Sequence, residues 1–137
     1  MAKPEQQSDS VLVIDGDVLV RHAIADYLRN CGYAVIEAAT TDEAVTVLER
    51  ERLTVDAAIC AADAPGALNS FQFRAWALRQ RSELQIALAG SVDAAARKAA
   101  ELCEEGPELA RPYDPQGVVD YVRRIVGTTR SSNTGTG

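Results

Sequence analysis

An α/β fold built on a parallel sheet follows from three features of the 137-residue sequence. Short apolar, β-compatible runs alternate five times with longer segments whose apolar residues recur at helical spacing. Capping residues, glycines and prolines mark the junctions between them. The stretch Asp56-Ala57-Ala58-Ile59-Cys60-Ala61-Ala62-Asp63-Ala64-Pro65-Gly66 then sets the centre, as a buried strand ending in a Pro-Gly turn. In an open parallel sheet, ligands and chemistry gather outside the carboxyl edge of the strands. Here that edge is mostly alanine, and Ala61 offers a methyl group where a reactive edge needs polar groups.

The elements are expected as follows. Val11-Leu12-Val13-Ile14 is a buried strand ending at Asp15. Asp17 caps a helix with Val20, Ile24, Tyr27 and Leu28 on its buried face, closed by Gly32. Tyr33 to Glu37 is the second strand, and Thr40 with Glu43 fits a capping box for a helix burying Ala44, Val45, Val47 and Leu48. Val55 to Cys60 is the third strand. Leu68 to Gln80 is a helix with Phe71, Ala75 and Leu78 on one stripe, and Leu84 to Leu88 is the fourth strand. Ser91 caps a helix with Val92, Ala95, Ala96, Ala99 and Leu102 inward. Leu109-Ala110 is a short fifth strand. Asp114-Pro115 starts a last helix carrying Val118, Val122, Ile125 and Val126. Residues 11–127 form one domain, with disordered tails expected over 1–10 and 128–137.

Composition narrows the function classes. The net charge of −6 opposes non-specific binding to nucleic acid or an anionic membrane. Aromatic residues are 5% of the chain, too few for a base-stacking surface. Residues 1–10 contain no apolar segment of a secretory leader, and no apolar run reaches the ~18 residues of a membrane span. Cys31, Cys60 and Cys103 are widely spaced and His22 is the single histidine, so no metal clip is expected. Three reduced thiols in a cytoplasmic protein are the reading of that spacing.

In this order, four motifs resemble the receiver domain of two-component response regulators. They are Val11-Leu12-Val13-Ile14-Asp15, Cys31-Gly32-Tyr33-Ala34-Val35, Asp56 with Pro65-Gly66, and Arg111-Pro112-Tyr113-Asp114-Pro115. The resemblance covers Val11 to about Val126. It implies a flavodoxin-like three-layer sandwich of five βα units, with strand order 2-1-3-4-5. It also places the family's phosphoacceptor aspartate at Ala61 and its paired metal-holding acids at Asp15 and Gly16. Asp17 stands near them, the signalling hydroxyl falls at Ala89, the lysine at Arg111, and the aromatic switch position at Glu108. A methyl group is no nucleophile, so the resemblance implies a degenerate, pseudo-receiver pocket without enzymatic chemistry. With Gly16 and Ala61 lacking carboxylates, a Mg²⁺ site is expected to be lost or weak, and no cofactor is expected.

The function expected from this resemblance is a phosphorylation-independent interaction module of bacterial signalling. Its partners would be a sensor kinase or regulator, and a second copy of the chain across the face of the fourth helix, fifth strand and last helix. Neither nucleic acid nor membrane is expected as a partner. One alternative is a conventional regulator phosphorylated at a displaced acceptor such as Asp63. The other is a small-ligand domain on the same fold, which Asp15-Gly16-Asp17 disfavours by putting negative charge where a phosphate would sit. Asp17 and Ser91 read first as helix caps, and His22 as a helix-surface residue. Trp76 reads as a partly covered core residue near Phe73, and Arg74, Arg79 and Arg81 as a solvated face. Removing crowded carboxylates frees Arg111 to pair with Asp15. Arg111→Met is therefore expected to cost up to about 1 kcal/mol in chemical denaturation, more than surface controls.

Overall fold

The structure, a computed structural model, describes residues 10–50 and 52–104, together with Asp120 and Arg124. Four strands, β1 (Ser10–Ile14), β2 (Ala34–Ala38), β3 (Ala57–Ala61) and β4 (Gln85–Ala89), alternate with four helices. These are α1 (Val18–Asn30), α2 (Thr41–Glu49), α3 (Ser70–Gln80) and α4 (Val92–Glu104). All pairings are parallel and the order is β2-β1-β3-β4, so every strand ends at the same edge. The expected fifth strand at Leu109-Ala110 and the last helix from Asp114 lie outside the described residues, except that Asp120 and Arg124 are helical.

β1 is buried along both faces, which explains its unbroken apolar run. Val11 and Val13, with Ala57 and Ile59, face α1 and α4, while Leu12 and Ile14, with Ala58 and Cys60, face α2 and α3. The chain steps one way from β1 to β2 and reverses direction across the sheet from β2 to β3. Right-handed crossovers therefore put α1 on one face and α2 and α3 on the other. A right-handed crossover outward from β4 would add α4 to the α2–α3 face. Instead α4 lies against α1 and crosses β3 and β4. Its inward residues Ala95, Ala96, Ala99 and Ala100 are small enough for close approach to the sheet. The fourth helix thus spends its apolar stripe on the core, as its spacing predicts.

The cysteine reading is corrected. Cys31, at the end of α1, and Cys103, in the last turn of α4, form a disulfide with Cα atoms 5.5 Å apart, and Cys60 is free and buried. A separation of 72 residues hides this proximity from the sequence. A cross-link closing that much chain removes about 4 kcal/mol of loop-closure freedom from the unfolded state.

Helix starts follow the sequence closely. The Asp17 side chain accepts from the Leu19 and Val20 amides, Thr40 accepts from Glu43, and Ser91 accepts from Ala94. Glu43 returns its bond to the Ala39 amide, one residue before the cap. The stripe of α3 is corrected. Phe71 is 67% exposed, and the buried face is Ser70, Phe73 and Ala77. Asn69 and Gln72 form a capping box, and the buried Ser70 hydroxyl donates to Ala62 O at 2.7 Å, which fixes the rotation of the helix. Trp76 is half-buried, its ring 6.2 Å from that of Phe73. Arg74 and Arg79 are exposed as expected, but Arg81 is not a solvated residue. Its guanidinium donates to the carbonyls of Leu48, Arg50 and Leu53 at 2.7–2.9 Å and so satisfies the end of α2.

The loop after β3 is fastened to the start of α2. Thr41 is fully buried, its amide donates to Pro65 O at 2.8 Å and its hydroxyl to Leu68 O at 2.8 Å. Gly66 has φ +141°, and a Cβ there would stand 2.9 Å from Thr41 N and overlap Thr41 Oγ1. Gly66→Ala is expected to lose about 1–3 kcal/mol from backbone strain alone, with further loss from the clash, read as a lower midpoint in urea. Arg81→Ala is expected to cost about 1–3 kcal/mol by stranding carbonyls of α2, and Arg81→Lys to recover only part of it in the same assay.

Candidate functional site

The carboxyl edge of the sheet opens into a cavity of about 290 Å³ lined by Asp15, Gly16, Ala61, Asp63, Ala89 and Ser91 among others. Parallel register does the positioning. Ala61 and Ala89 end β3 and β4 as direct partners, and the Ala62 amide donates to Ala89 O at 2.8 Å. Two methyl-bearing residues therefore stand side by side at the pocket. Asp15 follows the last residue of β1, and its amide continues the ladder to Ala38 O at 3.0 Å.

Two acids of the pocket, Asp15 and Asp17, are occupied with backbone. Asp15 Oδ1 accepts from the Asp17 amide at 2.8 Å, while Asp17 Oδ1 caps α1. Asp63 is an exposed loop residue that lines the same cavity. Gly16 is tight against the opposite wall, where a Cβ would come 3.0 Å from Pro65 Cδ and 3.2 Å from Pro65 Cγ. Burial pushes the Asp15 carboxyl above its usual range. The Asp17 amide opposes that shift, and the negative charges of Asp17 and Asp63 reinforce it. The Cys60 thiol beneath is pushed up to about 12, first by burial and then by the charges of Asp15 and Asp63.

Of the residues marked by the sequence, Asp15, Gly16, Asp17, Ala61 and Ala89 converge on this cavity, with Asp63 and Ser91 beside them. Glu108 and Arg111, and with them the expected Asp15–Arg111 pair, lie outside the described residues. A cation that sequence reasoning missed stands behind Asp15. Arg21 donates to Asp15 O at 3.0 Å and to Glu37 Oε1 at 3.0 Å, joining α1 to β2. Glu37 also receives Arg29 at 3.2 Å and lies 3.4 Å from His22 Nδ1. His22 is on the helix surface, its side chain 61% exposed. Arg21 is one turn past the Asp17 cap and Glu37 is next to last in β2, but only strand register brings them together.

Burial pushes the Glu37 carboxyl up, yet hydrogen bonds from Arg21, Arg29 and His22 outweigh it and hold the group below its usual range. A lowered native value means Glu37 contributes stability above pH 4.5, lost as the pH falls through the native value. Glu37→Gln is expected to lower the thermal midpoint at pH 7 and to converge on the parent protein in acid. Asp15 has the opposite sign. Its ionised form is disfavoured in the folded chain, so Asp15→Asn, which keeps the acceptor for Asp17 N, is expected to stabilise at pH 7. That gain should vanish as the pH falls below the ordinary value of 3.8, as read by thermal melts across pH.

No protein-family profile matches the chain. No curated protein matches it significantly. Solved structures do match in fold. A CheY-like response regulator receiver domain protein from Methanospirillum hungatei JF-1 aligns with TM-score 0.57 and 14% identity, over 90% of this chain and 98% of that one. A putative response regulator from Chloroflexus aurantiacus J-10-fl aligns with TM-score 0.54 and 26% identity, over 87% of this chain and 98% of that one. A response regulator from Burkholderia pseudomallei, solved with a phosphorylated aspartic acid, aligns with TM-score 0.55 and 17% identity, over 94% of this chain and 75% of that one. The order β2-β1-β3-β4, the alternating helices and these alignments agree that the chain has the fold of a response-regulator receiver domain.

Proposed function

We propose that this chain is a receiver-type signalling module that works by protein contact, without phosphorylation of an aspartate. The observation that carries the reading is the Ala61–Ala89 pair at the carboxyl edge. An acceptor needs a carboxylate at the strand end and a hydroxyl to read the new phosphate, and both positions are methyl groups. Gly16 supports it, because the Pro65 ring crowds the space that a side chain there would enter.

The residues present do not fit a Mg²⁺ ion. The ion asks for oxygen ligands in near-octahedral array. Gly16 and Ala61 bring no side-chain oxygen, and both Asp15 and Asp17 hold backbone amides. Among the described residues, no group of three His, Cys, Asp or Glu side chains is placed to hold a metal. On this reading the protein is a binding module and not an enzyme, with a sensor kinase or another regulator as partner, in the cytoplasm. Its net charge of −6 weighs against nucleic acid. No helix among the described residues is long and apolar enough to cross a membrane.

The second reading, phosphorylation at Asp63, has one observation in its favour: Asp63 lines the same cavity as Asp15 and Ala61. An amide NMR titration with Mg²⁺ and beryllofluoride, a stand-in for aspartyl phosphate, separates the two. No shift at Asp15, Ala61 or Ala89 is expected. A saturable shift at those amides, abolished by Asp63→Asn, would replace the first reading with the second.

A further inference from the structure

The Cys31–Cys103 bond stands where α4 most needs help to stay docked. Of the α4 residues that face the core, Ala95, Ala96, Ala99 and Ala100 each bury a single methyl group, and the larger aliphatic side chains are Leu102 and the partly buried Val92. Apolar area sets the strength of such packing, so this face holds less tightly than the Val20, Ile24 and Leu28 face of α1 opposite. Two contacts close the far end of the helix. Tyr33, just past the Gly32 turn, donates its hydroxyl to Leu102 O, and Cys31 is bonded to the next residue, Cys103. The near end belongs to the cavity, because Ser91, Val92 and Ala95 form part of its wall. The helix has 13 residues, about 20 Å in length, so one rigid element joins the disulfide to the pocket.

We infer that Cys31 and Cys103 form a reversible dithiol–disulfide couple that latches α4 onto α1 and thereby sets the shape of the pocket wall. The two sulfurs differ in access. Cys31 is partly exposed and Cys103 is 2% exposed, so an incoming thiolate reaches the Cys31 sulfur. In the opening step, a thiolate of a small dithiol attacks Cys31 Sγ and the protein S–S bond breaks. Cys103 Sγ departs with the electron pair and takes a proton. The second thiol of the reductant then displaces Cys31, which is protonated in turn. Two electrons and two protons pass to the protein, and the reductant closes to its own disulfide. A small-molecule disulfide such as oxidised glutathione reverses the sequence. Cys60 does not compete for exchange, since it is buried on the opposite face of the sheet with its thiol pushed up to about 12. The latch rests on the fold alone and stands or falls separately from the phosphorylation reading.

The test equilibrates the whole chain in glutathione buffers of graded ratio and traps free thiols with iodoacetamide. Intact mass gives the oxidised fraction, and hydrogen exchange is followed in peptides over residues 92–104 and over β1. A single transition within the range of the buffers is expected. Across it, α4 amides should exchange at least about tenfold faster in the reduced form, while β1 amides keep their protection. The double variant Cys31→Ser, Cys103→Ser should match the reduced protein in every buffer. A bond that stays closed at the most reducing ratio would make it a fixed staple and overturn the switch. So would a pair that never oxidises, or a reduction that leaves α4 protection unchanged.

Discussion

Burial of β1 and β3 from both sides is the constraint on which the rest depends. An apolar strand covered on both faces needs helices above and below the sheet, and parallel pairing needs those helices as crossovers. Both demands send every strand end to one edge. Polar groups cannot stay within the core without partners, so they collect where the strands stop. Asp15, Gly16 and Asp17 follow β1 directly, Asp63 follows β3, and Ser91 follows β4. The pocket is thus a consequence of how the core is covered, whatever it binds.

Charge around that pocket is arranged to hold the scaffold. Glu37 gathers Arg21, Arg29 and His22 into a cluster that ties α1 to β2, and Arg21 extends it to the backbone of Asp15. Asp15 itself is left ionisable in a half-buried site with two acidic neighbours, an arrangement that costs stability. The opposite signs of these two carboxylates separate a structural acid from one retained at the site.

The loop after β3 is fixed by Thr41, by Gly66 and by the Asp42 carboxylate, which accepts from the Ala67 amide. The wall made by α4 is held by alanine contacts with Leu102 and Val92, by the Tyr33 hydrogen bond and by the disulfide.

Much of the chain was legible beforehand for local reasons. Side-chain caps at Asp17, Thr40 and Ser91 act within four residues, and alternating apolar runs report burial directly, so strand identity, helix starts and the methyl at Ala61 could be read from residue order. The stripe of α3 could not, because Phe71 and Phe73 are equally apolar and the anchor that chose Phe73 is a serine bonded to Ala62. Arg81 read as a surface cation because its carbonyl partners lie some thirty residues earlier. The sequence by itself determined a parallel α/β sheet and the residue types at its carboxyl edge, since periodicity and capping are short-range. Only the tertiary structure decided that α4 packs against α1, that Cys31 meets Cys103, and that Arg21 meets Glu37. Those contacts depend on where distant segments are carried by the sheet, which no local pattern encodes.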